Sequence, residues 1–413
     1  MSENSSRELI AAIEAELIAL RRELHSHPEL GVELPWTRDR VATELTRAGI
    51  AFEQVADDGL IACIGPDGGK SIAIRADMDG LPVTEQTGLA FAATNGNMHA
   101  CGHDGHVTMA LGAARVLKQL ESELDGRVYV CFQSGEEIAQ GAAPILAYLD
   151  ERGGVDEVVA IHLWAEVPSG QIALQPGPRM AGNSGFRIDV QGVGGHGSRP
   201  DLCVDPIKPA AAIVLAISGV PANDVSMLHP AVVHVGSLTA GAAQNVFPPS
   251  ARILGGYRYF EDGDDTKIEA AIERLAVNIA AAYGATAEVT FFHPLPTMRN
   301  AEVAVQHARQ VVKDIAGLEA CEFEQIGASE NFAQYTEKWP GVMGFLGVKR
   351  DGVEQAYQHH PRFDLDEDVL ALGVEFFVEY ARKFLAGELA DLARTEYPQP
   401  DSNRRCRLER AVS

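Results

Sequence analysis

The stretch Ser71–Asp79, SIAIRADMD, decides the fold class of this chain. It is a short apolar run, typical of a buried strand, that ends in two aspartates. Helical and strand patterns alternate around it: an amphipathic opening helix precedes it, and the helix ALGAARVLKQL (110–120) and the strand RVYVCFQ (127–133) follow it. This alternation predicts an α/β fold with a central mixed sheet, in which polar residues beyond the strand ends form the ligand site.

The pattern changes after about residue 182, and a length of 413 residues suits two domains. Residues 183–295 carry a strand, an alanine-rich helix, two strands, a second helix and a strand, which is a β-α-β-β-α-β unit. The earlier pattern then resumes. We predict a catalytic α/β domain formed by residues 1–182 and 296–390, interrupted by a smaller ferredoxin-like α+β lid at 183–295. Residues 391–413 are polar and aperiodic, which predicts a mobile tail.

Charge and composition exclude two classes of partner. The chain has 34 basic and 58 acidic residues, a net charge of −24 at pH 7, which disfavours nucleic acid and anionic membranes. Its longest apolar stretch has about 12 residues, fewer than the ~20 of a membrane-spanning helix. The opening segment lacks the apolar core of a signal peptide, and the six cysteines lack paired spacing. We therefore expect a cytoplasmic protein with reduced thiols and with no nucleic-acid or membrane partner.

The motif MHACGHDGH, residues 98–106, is the strongest chemical signal. It places Cys101 two residues before His103 in a short segment that contains glycine. Thiolate and imidazole are preferred ligands of zinc and related divalent metals. The glycine between the two residues removes a Cβ that would obstruct their convergence on one point. A buried cysteine beside satisfied histidines is the alternative, which is disfavoured because three of the 13 histidines fall within this motif.

Two acidic pairs follow predicted strands. Asp77 and Asp79 in RADMDGLP lie two residues apart at a strand end, so they share a face and can orient a histidine ligand. The alternative is a solvated pair that opens a turn. Glu136 and Glu137 in FQSGEEIAQGA follow the next strand and a turn of small residues. One glutamate can bind metal while its neighbour acts as general base, and an ordinary surface pair is the alternative.

Further histidines are needed to complete such a site. A catalytic metal ion needs at least three protein ligands, and Cys101 and His103 supply two. His162 in AIHLW and the adjacent His359 and His360 are the remaining candidates. A lone histidine beside an apolar strand is more commonly a hydrogen-bonded core residue, so only the ligand count favours metal binding here.

Seven motifs occur along the chain in a fixed order: RRELHSHPELG, IAIRADMDGLP, MHACGHDGH, FQSGEE, GGHGSRP, QNVFP and HHPRFD. In this combination the chain resembles the aminoacylase and carboxypeptidase clan of dinuclear metallohydrolases, in the branch of hippurate hydrolase and auxin-conjugate (IAA-amino acid) amidohydrolase. The resemblance runs from about residue 8 to about residue 388. It implies a metal-dependent amidohydrolase that cleaves linear amides of N-acyl amino acids. It also implies a homodimer joined through the lid, with a tetramer as the alternative.

The resemblance also implies a set of site residues. Two divalent cations per subunit are expected, either Zn²⁺ or else Mn²⁺, Co²⁺ or Ni²⁺, with Glu136 as general base. His196 and Asn245 of the lid are expected to hold the substrate's carbonyl or carboxylate, and His196 to stabilise the oxyanion. The implied metal ligands are Cys101, His103, Glu137, His162 and His359, with His360 as the alternative to His359, and the expected supporting carboxylates are Asp77, Asp79 and Asp104.

Arg258, on the predicted lid strand ILGGYRYF, is a candidate anchor for one substrate carboxylate. A single carboxylate held by one arginine and one amide suits a small N-acyl amino acid rather than a long peptide. The alternative is a strand residue that faces solvent. The same site on a peptide bond would make a dipeptidase or carboxypeptidase. A non-catalytic metal-binding module of this fold would not require Glu136.

Three positions depart from the pattern of the branch. Ser134-Gly135 replaces the usual Pro-Ala, Asn331 in ASENF replaces an aspartate, and Gln244 precedes Asn245. The first two could alter base positioning or substrate choice. None of the three removes an implied metal ligand.

Overall fold

A computed structural model describes residues 4–350 and 352–389 of the protein. Within these residues the helices are α1 (Asn4–His25), α2 (Pro35–Arg47), α3 (His103–Gln119), α4 (Ala142–Glu151), α5 (Ile207–Ile217), α6 (Val220–Asp224), α7 (Asp264–Ala282), α8 (Glu302–Asp314), α9 (Ala333–Thr336) and α10 (Val369–Leu385). The strands are β1 (Ala51–Gln54), β2 (Leu60–Ile64), β3 (Ser71–Asp77), β4 (Arg127–Gln133), β5 (Glu157–Pro168), β6 (Gln171–Ala173), β7 (Gly177–Met180), β8 (Gly182–Gln191), β9 (Gly195–His196), β10 (Ala231–Ala240), β11 (Val246–Phe247), β12 (Ser250–Tyr259), β13 (Thr286–Leu295), β14 (Met298–Asn300), β15 (Glu319–Cys321) and β16 (Gly341–Lys349).

The larger sheet has eight strands in the order β1-β2-β4-β3-β5-β16-β6-β15. The central pairs β4–β3, β3–β5 and β5–β16 are parallel, whereas β1–β2, β2–β4 and β16–β6 are antiparallel. The predicted α/β class with a central mixed sheet is therefore confirmed.

Helices cover both faces of this sheet. Because side chains alternate along a strand, Ile72 and Ile74 of β3 enter one core while Ala73 enters the other. The first core also contains apolar residues of α1, α3, α8 and α10, and the second contains residues of α4 and α9. The sheet is therefore buried on both sides, as expected for a sheet with parallel central strands.

The smaller sheet has four strands in the order β10-β12-β8-β13, and every neighbouring pair is antiparallel. Numbered along the β-α-β-β-α-β unit, this is the order 2-3-1-4, which is the ferredoxin-like arrangement predicted from the sequence. Helices α5 and α7 pack on one face and share a separate core with it. A short ribbon of β9 and β11 adjoins this unit. The exact domain limits of 182/183 and 295/296 stay a prediction.

The strand ends set the position of the site. Strands β3, β4 and β5 run parallel, and Arg75 of β3 pairs with Ala160 of β5, so Asp77 and His162 lie at the same edge of the sheet. Helix α3 begins at His103 beside this edge. The predicted tail at 391–413 lies outside the described residues. None of the described helices combines the length and apolar composition that crossing a membrane requires.

Candidate metal centre

Cys101 and His103 meet at the start of α3 because the chain turns sharply between them. Gly102 has a φ of +90°, a left-handed conformation that residues with a side chain rarely adopt. A Cβ at this position would find its nearest neighbour, in Leu163, at an ordinary 3.5 Å. The backbone conformation therefore requires glycine here. The sequence-based expectation that a Cβ would obstruct the two ligands was wrong, because there is room for a side chain.

Hydrogen bonds fix the rings of His103 and His162. Nδ1 of His103 lies 2.8 Å from the carbonyl oxygen of Asp79, and Nδ1 of His162 lies 2.8 Å from that of Leu163. Because a carbonyl oxygen only accepts, each Nδ1 donates its proton, and in the neutral ring the lone pair is then on Nε2. Nε2 of His162 lies 3.6 Å from Sγ of Cys101. Both rings are therefore in the tautomer that a metal ligand requires.

The glutamate pair lies on a 3₁₀ turn, Glu136–Ile138, directly after β4. Asp79 supports this turn, since its two carboxylate oxygens accept the backbone N–H groups of Glu136 and Glu137, each at 3.1 Å. Oε1 of Glu137 lies 3.9 Å from Nε2 of His103. Asp79 therefore holds the glutamate turn through its side chain and the His103 ring through its backbone carbonyl.

His359 approaches the cluster from the loop before α10. Its backbone φ of +65° is left-handed, which costs a non-glycine residue about 1 kcal/mol or more. Its N–H donates to the carbonyl oxygen of Ala100 at 2.8 Å, and its Nε2 lies 3.6 Å from Oε1 of Glu137. Nδ1 of His360 instead accepts the backbone N–H of Arg362. Of the two histidines left open by the sequence, the structure places His359 at the cluster.

Five side chains thus bring metal-type donor atoms together. They form two groups of three donors, and the Cys101 thiol belongs to both groups. The groups are Cys101, His103 and His162, and Cys101, Glu137 and His359, and the donor atoms of each group lie within 4.8 Å of one another. Nε2 of His103 and Oε1 of Glu137 are buried without a hydrogen-bond partner among the described residues. Burial and the charge of Glu137 raise the pKa of the Cys101 thiol well above its usual value, so a thiolate here requires a nearby cation. This donor set fits divalent transition-metal ions.

Asp77 supports the site through His106 rather than through a direct hydrogen bond to a ligand ring. Its Oδ1 lies 2.6 Å from Nδ1 of His106, and its Oδ2 accepts Nη1 of Arg75 at 2.7 Å. Nε2 of His106 accepts the backbone N–H of Leu163 at 2.9 Å, which fixes the chain next to His162. Arg75 was not among the site residues predicted from the sequence. The signal that could have found it is an arginine inside an apolar strand.

Glu136 lies in a cluster of carboxylates. Burial, followed by the charges of Glu330 and Glu137, raises the pKa of Glu136 well above its usual value. Glu330 is itself buried, and its Oε1 lies 2.9 Å from Nη2 of Arg75. A carboxylate with a raised proton affinity can take a proton from water and keep it for transfer to a leaving group. Glu330 was missed, and the signal that could have found it is its position directly before Asn331 in ASENF.

A cavity of about 250 Å³ opens onto the cluster. Besides Cys101, the glutamate pair, His162 and His359, its wall includes Trp164, Met180 and Glu330. None of its lining residues comes from 183–295. Its volume lies below the roughly 300–1,000 Å³ of sites for drug-sized ligands, so it suits a small substrate.

The three predicted lid residues lie outside this cavity. His196 on β9 pairs with Val246 of β11, and the carbonyl of Asn245 accepts the N–H of Gly197 at 2.8 Å, so His196 and Asn245 are neighbours. Arg258 lies on β12 and has a buried Nη1 without a partner among the described residues. The structure thus brings His196 and Asn245 together but not into the cavity that contains Glu136.

Asp104, expected to support the centre, faces α1. Its Oδ2 accepts Nε of Arg21 at 2.8 Å and lies 2.8 Å from Nδ1 of His25. Both partners belong to the motif RRELHSHPELG near the start of the chain. Asp104 therefore ties the first turn of α3, and with it His103, to the opening helix.

Comparisons with known proteins agree with this arrangement. The chain is 37% identical over 377 residues to N-acetylcysteine deacetylase of Bacillus subtilis, covering 90% of this chain and 97% of the relative. It is 34% identical over 385 residues to thermostable carboxypeptidase 1 of Saccharolobus solfataricus (91% and 97%). It is also 34% identical over 381 residues to IAA-amino acid hydrolase ILR1-like 2 of Arabidopsis thaliana (89% and 85%).

A solved structure is similar over nearly the whole chain. The Bacillus subtilis YXEP protein, described as a dinuclear metal binding peptidase from the M20 family, matches with a TM-score of 0.79 and 35% identity, covering 92% of this chain and 100% of that chain. The model of peptidase family M20/M25/M40 matches residues 73–383, a span that contains the cluster and the ferredoxin-like unit. On this match, and on the identity to its relatives, the chain belongs to peptidase family M20/M25/M40.

Proposed function

We propose that this protein hydrolyses the amide bond of small N-acyl amino acids, including hippurate-like conjugates, with Glu136 as general base. The observation that carries the proposal is the convergence of five metal-type donors beside Glu136, which lines the same cavity. Cys101, His103, Glu137, His162 and His359 would hold two divalent cations, Zn²⁺ or else Mn²⁺, Co²⁺ or Ni²⁺.

The cations, when bound, would polarise the substrate carbonyl and make water more acidic. Glu136 then accepts a proton from the attacking water as the C–O bond forms. The protonated carboxyl group of Glu136 then donates that proton to the amine nitrogen as the C–N bond breaks. The products are a carboxylic acid and an amine, and the base returns to its ionised form.

The substrate class is supported by size and by similarity. The cavity of about 250 Å³ fits a small acylated amino acid better than a long peptide. The relative from Bacillus subtilis is named N-acetylcysteine deacetylase, and the Arabidopsis relative is named an IAA-amino acid hydrolase. Arg258 of the lid lies outside this cavity, but its buried Nη1 has no hydrogen-bond partner among the described residues and could bind the substrate's single carboxylate when the lid approaches the site.

Peptide bonds are the second candidate substrate, because one relative is named a carboxypeptidase. A release assay that compares N-acetyl, N-benzoyl and indole-acetyl amino acids with dipeptides separates the two substrate classes.

The role of Glu136 is tested by substitution. The Glu136→Gln variant should keep its metal, and its kcat should fall by a factor of about 10²–10⁴. Glu157→Gln is the matched control, because Glu157 is also buried and bonds Tyr380. Faster release from dipeptides than from every N-acyl amino acid would reject the amidohydrolase assignment, and normal turnover in Glu136→Gln would reject the base.

We also propose that two chains pair through the lid, so that His196 and Asn245 of each complete the partner's site. This is supported by the absence of both residues from the cavity wall and by exposed apolar side chains of the same unit. Leu215, Met227 and Leu228 are 77%, 94% and 80% exposed. Mixing a His196→Ala chain with a Glu136→Gln chain should restore one working site per heterodimer. Absence of any rescue would place His196 in its own chain's site.

A cytoplasmic location is the accompanying proposal. The five described cysteines, Cys63, Cys101, Cys131, Cys203 and Cys321, are free thiols, which fits a reducing compartment. Fractionation of cells that express the protein tests this, and recovery outside the cytoplasm would contradict it.

A further inference from the structure

Glu136 lies in a turn whose backbone adopts several left-handed conformations. We call residues 134–141 the base turn, because they join β4 to α4 and carry the proposed general base. Three of its residues have left-handed φ angles: +66° at Gly135, +57° at Ala139 and +78° at Gly141. Ala139 adopts this conformation with a side chain, at a cost of about 1 kcal/mol or more. Such a turn persists only if surrounding contacts fix it.

Asn331 supplies two of those contacts from the other end of the chain. Its backbone N–H donates to Oε1 of Glu136 at 3.2 Å. Its side-chain Nδ2 donates to the carbonyl oxygen of Gln140 at 2.6 Å. The backbone N–H of Gln140 in turn donates to the carbonyl of Gly135 at 2.8 Å, which closes the base turn. One residue therefore contacts both the reacting carboxylate and the closing peptide group of the turn that carries it.

The side-chain contact requires an amide. Asn331 is fully buried, and its Oδ1 has no hydrogen-bond partner among the described residues, so Nδ2 makes the side chain's contribution. An aspartate has the same shape, but in its ionised form its oxygens only accept and would face the carbonyl of Gln140. The added carboxylate would also lie beside Glu136 and next to the buried Glu330. Asn331 and Ser134-Gly135, which both differ from the usual residues of the branch, thus belong to the same hydrogen-bonded turn.

We propose that Asn331 is a positioning residue that orients Glu136 by holding the base turn closed. This rests on the proposed function in assigning Glu136 as the base, but the hold on the turn is a separate structural claim. A misplacement of about 1 Å can cost roughly 10² in rate, so loss of the amide acts on turnover rather than on substrate affinity.

The test compares Asn331→Asp and Asn331→Ala with Asn300→Asp. Asn300 is a matched control, because it is also buried and its Nδ2 donates to carbonyl oxygens, those of Gln175 and Met343. Both Asn331 variants should lower kcat by about 10- to 100-fold with KM changed less than about twofold and metal content unchanged. Asn300→Asp should keep kcat per folded molecule. Unchanged kcat in both Asn331 variants would overturn the proposal, as would an equal loss in the control.

Hydrogen–deuterium exchange gives a readout that does not depend on turnover. Peptides that cover 134–141 should exchange at least about tenfold faster in Asn331→Ala than in the unaltered protein, while Asn300→Asp should leave them unchanged. Equal protection in Asn331→Ala would overturn the hold on the turn. If the unaltered protein cleaves no substrate of the panel, the proposed function fails, and the exchange comparison still decides whether Asn331 fixes the base turn.

Discussion

Replacing Arg21 by methionine should strongly destabilise the protein. Arg21 is fully buried on α1, and its guanidinium lies 2.8 Å from Asp104, 3.3 Å from Glu367 and 3.4 Å from Asp364. Methionine keeps much of the apolar length but leaves the buried Asp104 carboxylate with only His25 as a cationic partner. Removing one member of a buried ion pair typically costs about 3–5 kcal/mol, because the other charge stays desolvated and uncompensated.

Urea denaturation followed by tryptophan fluorescence measures this loss. Trp36 reports on the region directly, because its ring stacks on His27, which follows α1, with centroids 4.0 Å apart. At a slope of about 3 kcal/mol per molar urea, a loss of about 3–5 kcal/mol moves the midpoint down by about 1–2 M. Metal content should be compared in the same samples, because Asp104 lies in the helical turn that carries His103.

Arg22→Met is the matched control. Arg22 is the next residue of the same helix and bonds the same Glu367 at 2.6 Å, but its side chain is 49% exposed. Exposed ion pairs contribute little, so the midpoint of this variant should stay close to that of the unaltered protein. Equal midpoints for Arg21→Met and Arg22→Met would refute the reasoning that burial makes the Arg21 pair essential.

Three further predictions follow from single contacts. Burial opposes the charged form of His25, but the charge of Asp104 and hydrogen bonds to Asp104 and Glu85 outweigh this effect and raise the pKa of His25 to about 9. Protonated His25 therefore stabilises the folded protein by about 3 kcal/mol below pH ~6.5, and this contribution is lost as the pH rises through about 9. The stability difference between the unaltered protein and His25→Gln should accordingly shrink from pH 6 to pH 10 in denaturation series, and a constant difference would contradict this. Gly141→Ala should impair folding or turnover far more than Gly88→Ala. Both positions have a left-handed φ, but only at 141 would a Cβ lie 1.9 Å from a carbonyl oxygen, that of Ser134. Equal melting temperatures and equal kcat values for the two variants would contradict this prediction. Methyl esterification of the substrate's carboxylate should lower kcat/KM about tenfold or more. Arg258→Ala should abolish this preference for the free acid, whereas Arg252→Ala on the same strand should keep it. Equal cleavage of acid and ester by the unaltered protein would contradict the proposed carboxylate anchor.

The fold was predictable where local pattern and burial agree. The apolar run at 71–77 is buried, the helix predicted at 110–120 forms most of α3, and the β-α-β-β-α-β pattern indicated the ferredoxin-like class of the smaller sheet. Strand order in the larger sheet was not predictable, because it joins segments as distant as β5 and β16. Nothing local in either strand specifies that pairing.

The site residues within the motif MHACGHDGH were predictable from the sequence, whereas site residues that are distant from it in sequence were harder to predict. Cys101 and His103 are close in sequence, so their convergence follows from one turn at Gly102. Glu330 and Asn331 reach Glu136 only through the tertiary fold, and no spacing rule connects residues about 195 positions apart. The contact of Asp104 with Arg21 and His25 was missed for the same reason. Long-range polar contacts of this kind leave no periodic signal in the sequence.

Elemental mass spectrometry of the purified protein, with turnover measured in the same samples, tests whether this cluster is a dinuclear metal site that turnover requires. We expect about two divalent ions per chain, loss of metal and turnover together on chelation, and recovery of both when Zn²⁺, Mn²⁺, Co²⁺ or Ni²⁺ is added. Cys101→Ala should lose metal most severely, because the Cys101 thiol belongs to both donor groups. Full turnover in protein that holds less than about 0.1 ion per chain, or unchanged metal content in Cys101→Ala, would contradict the account.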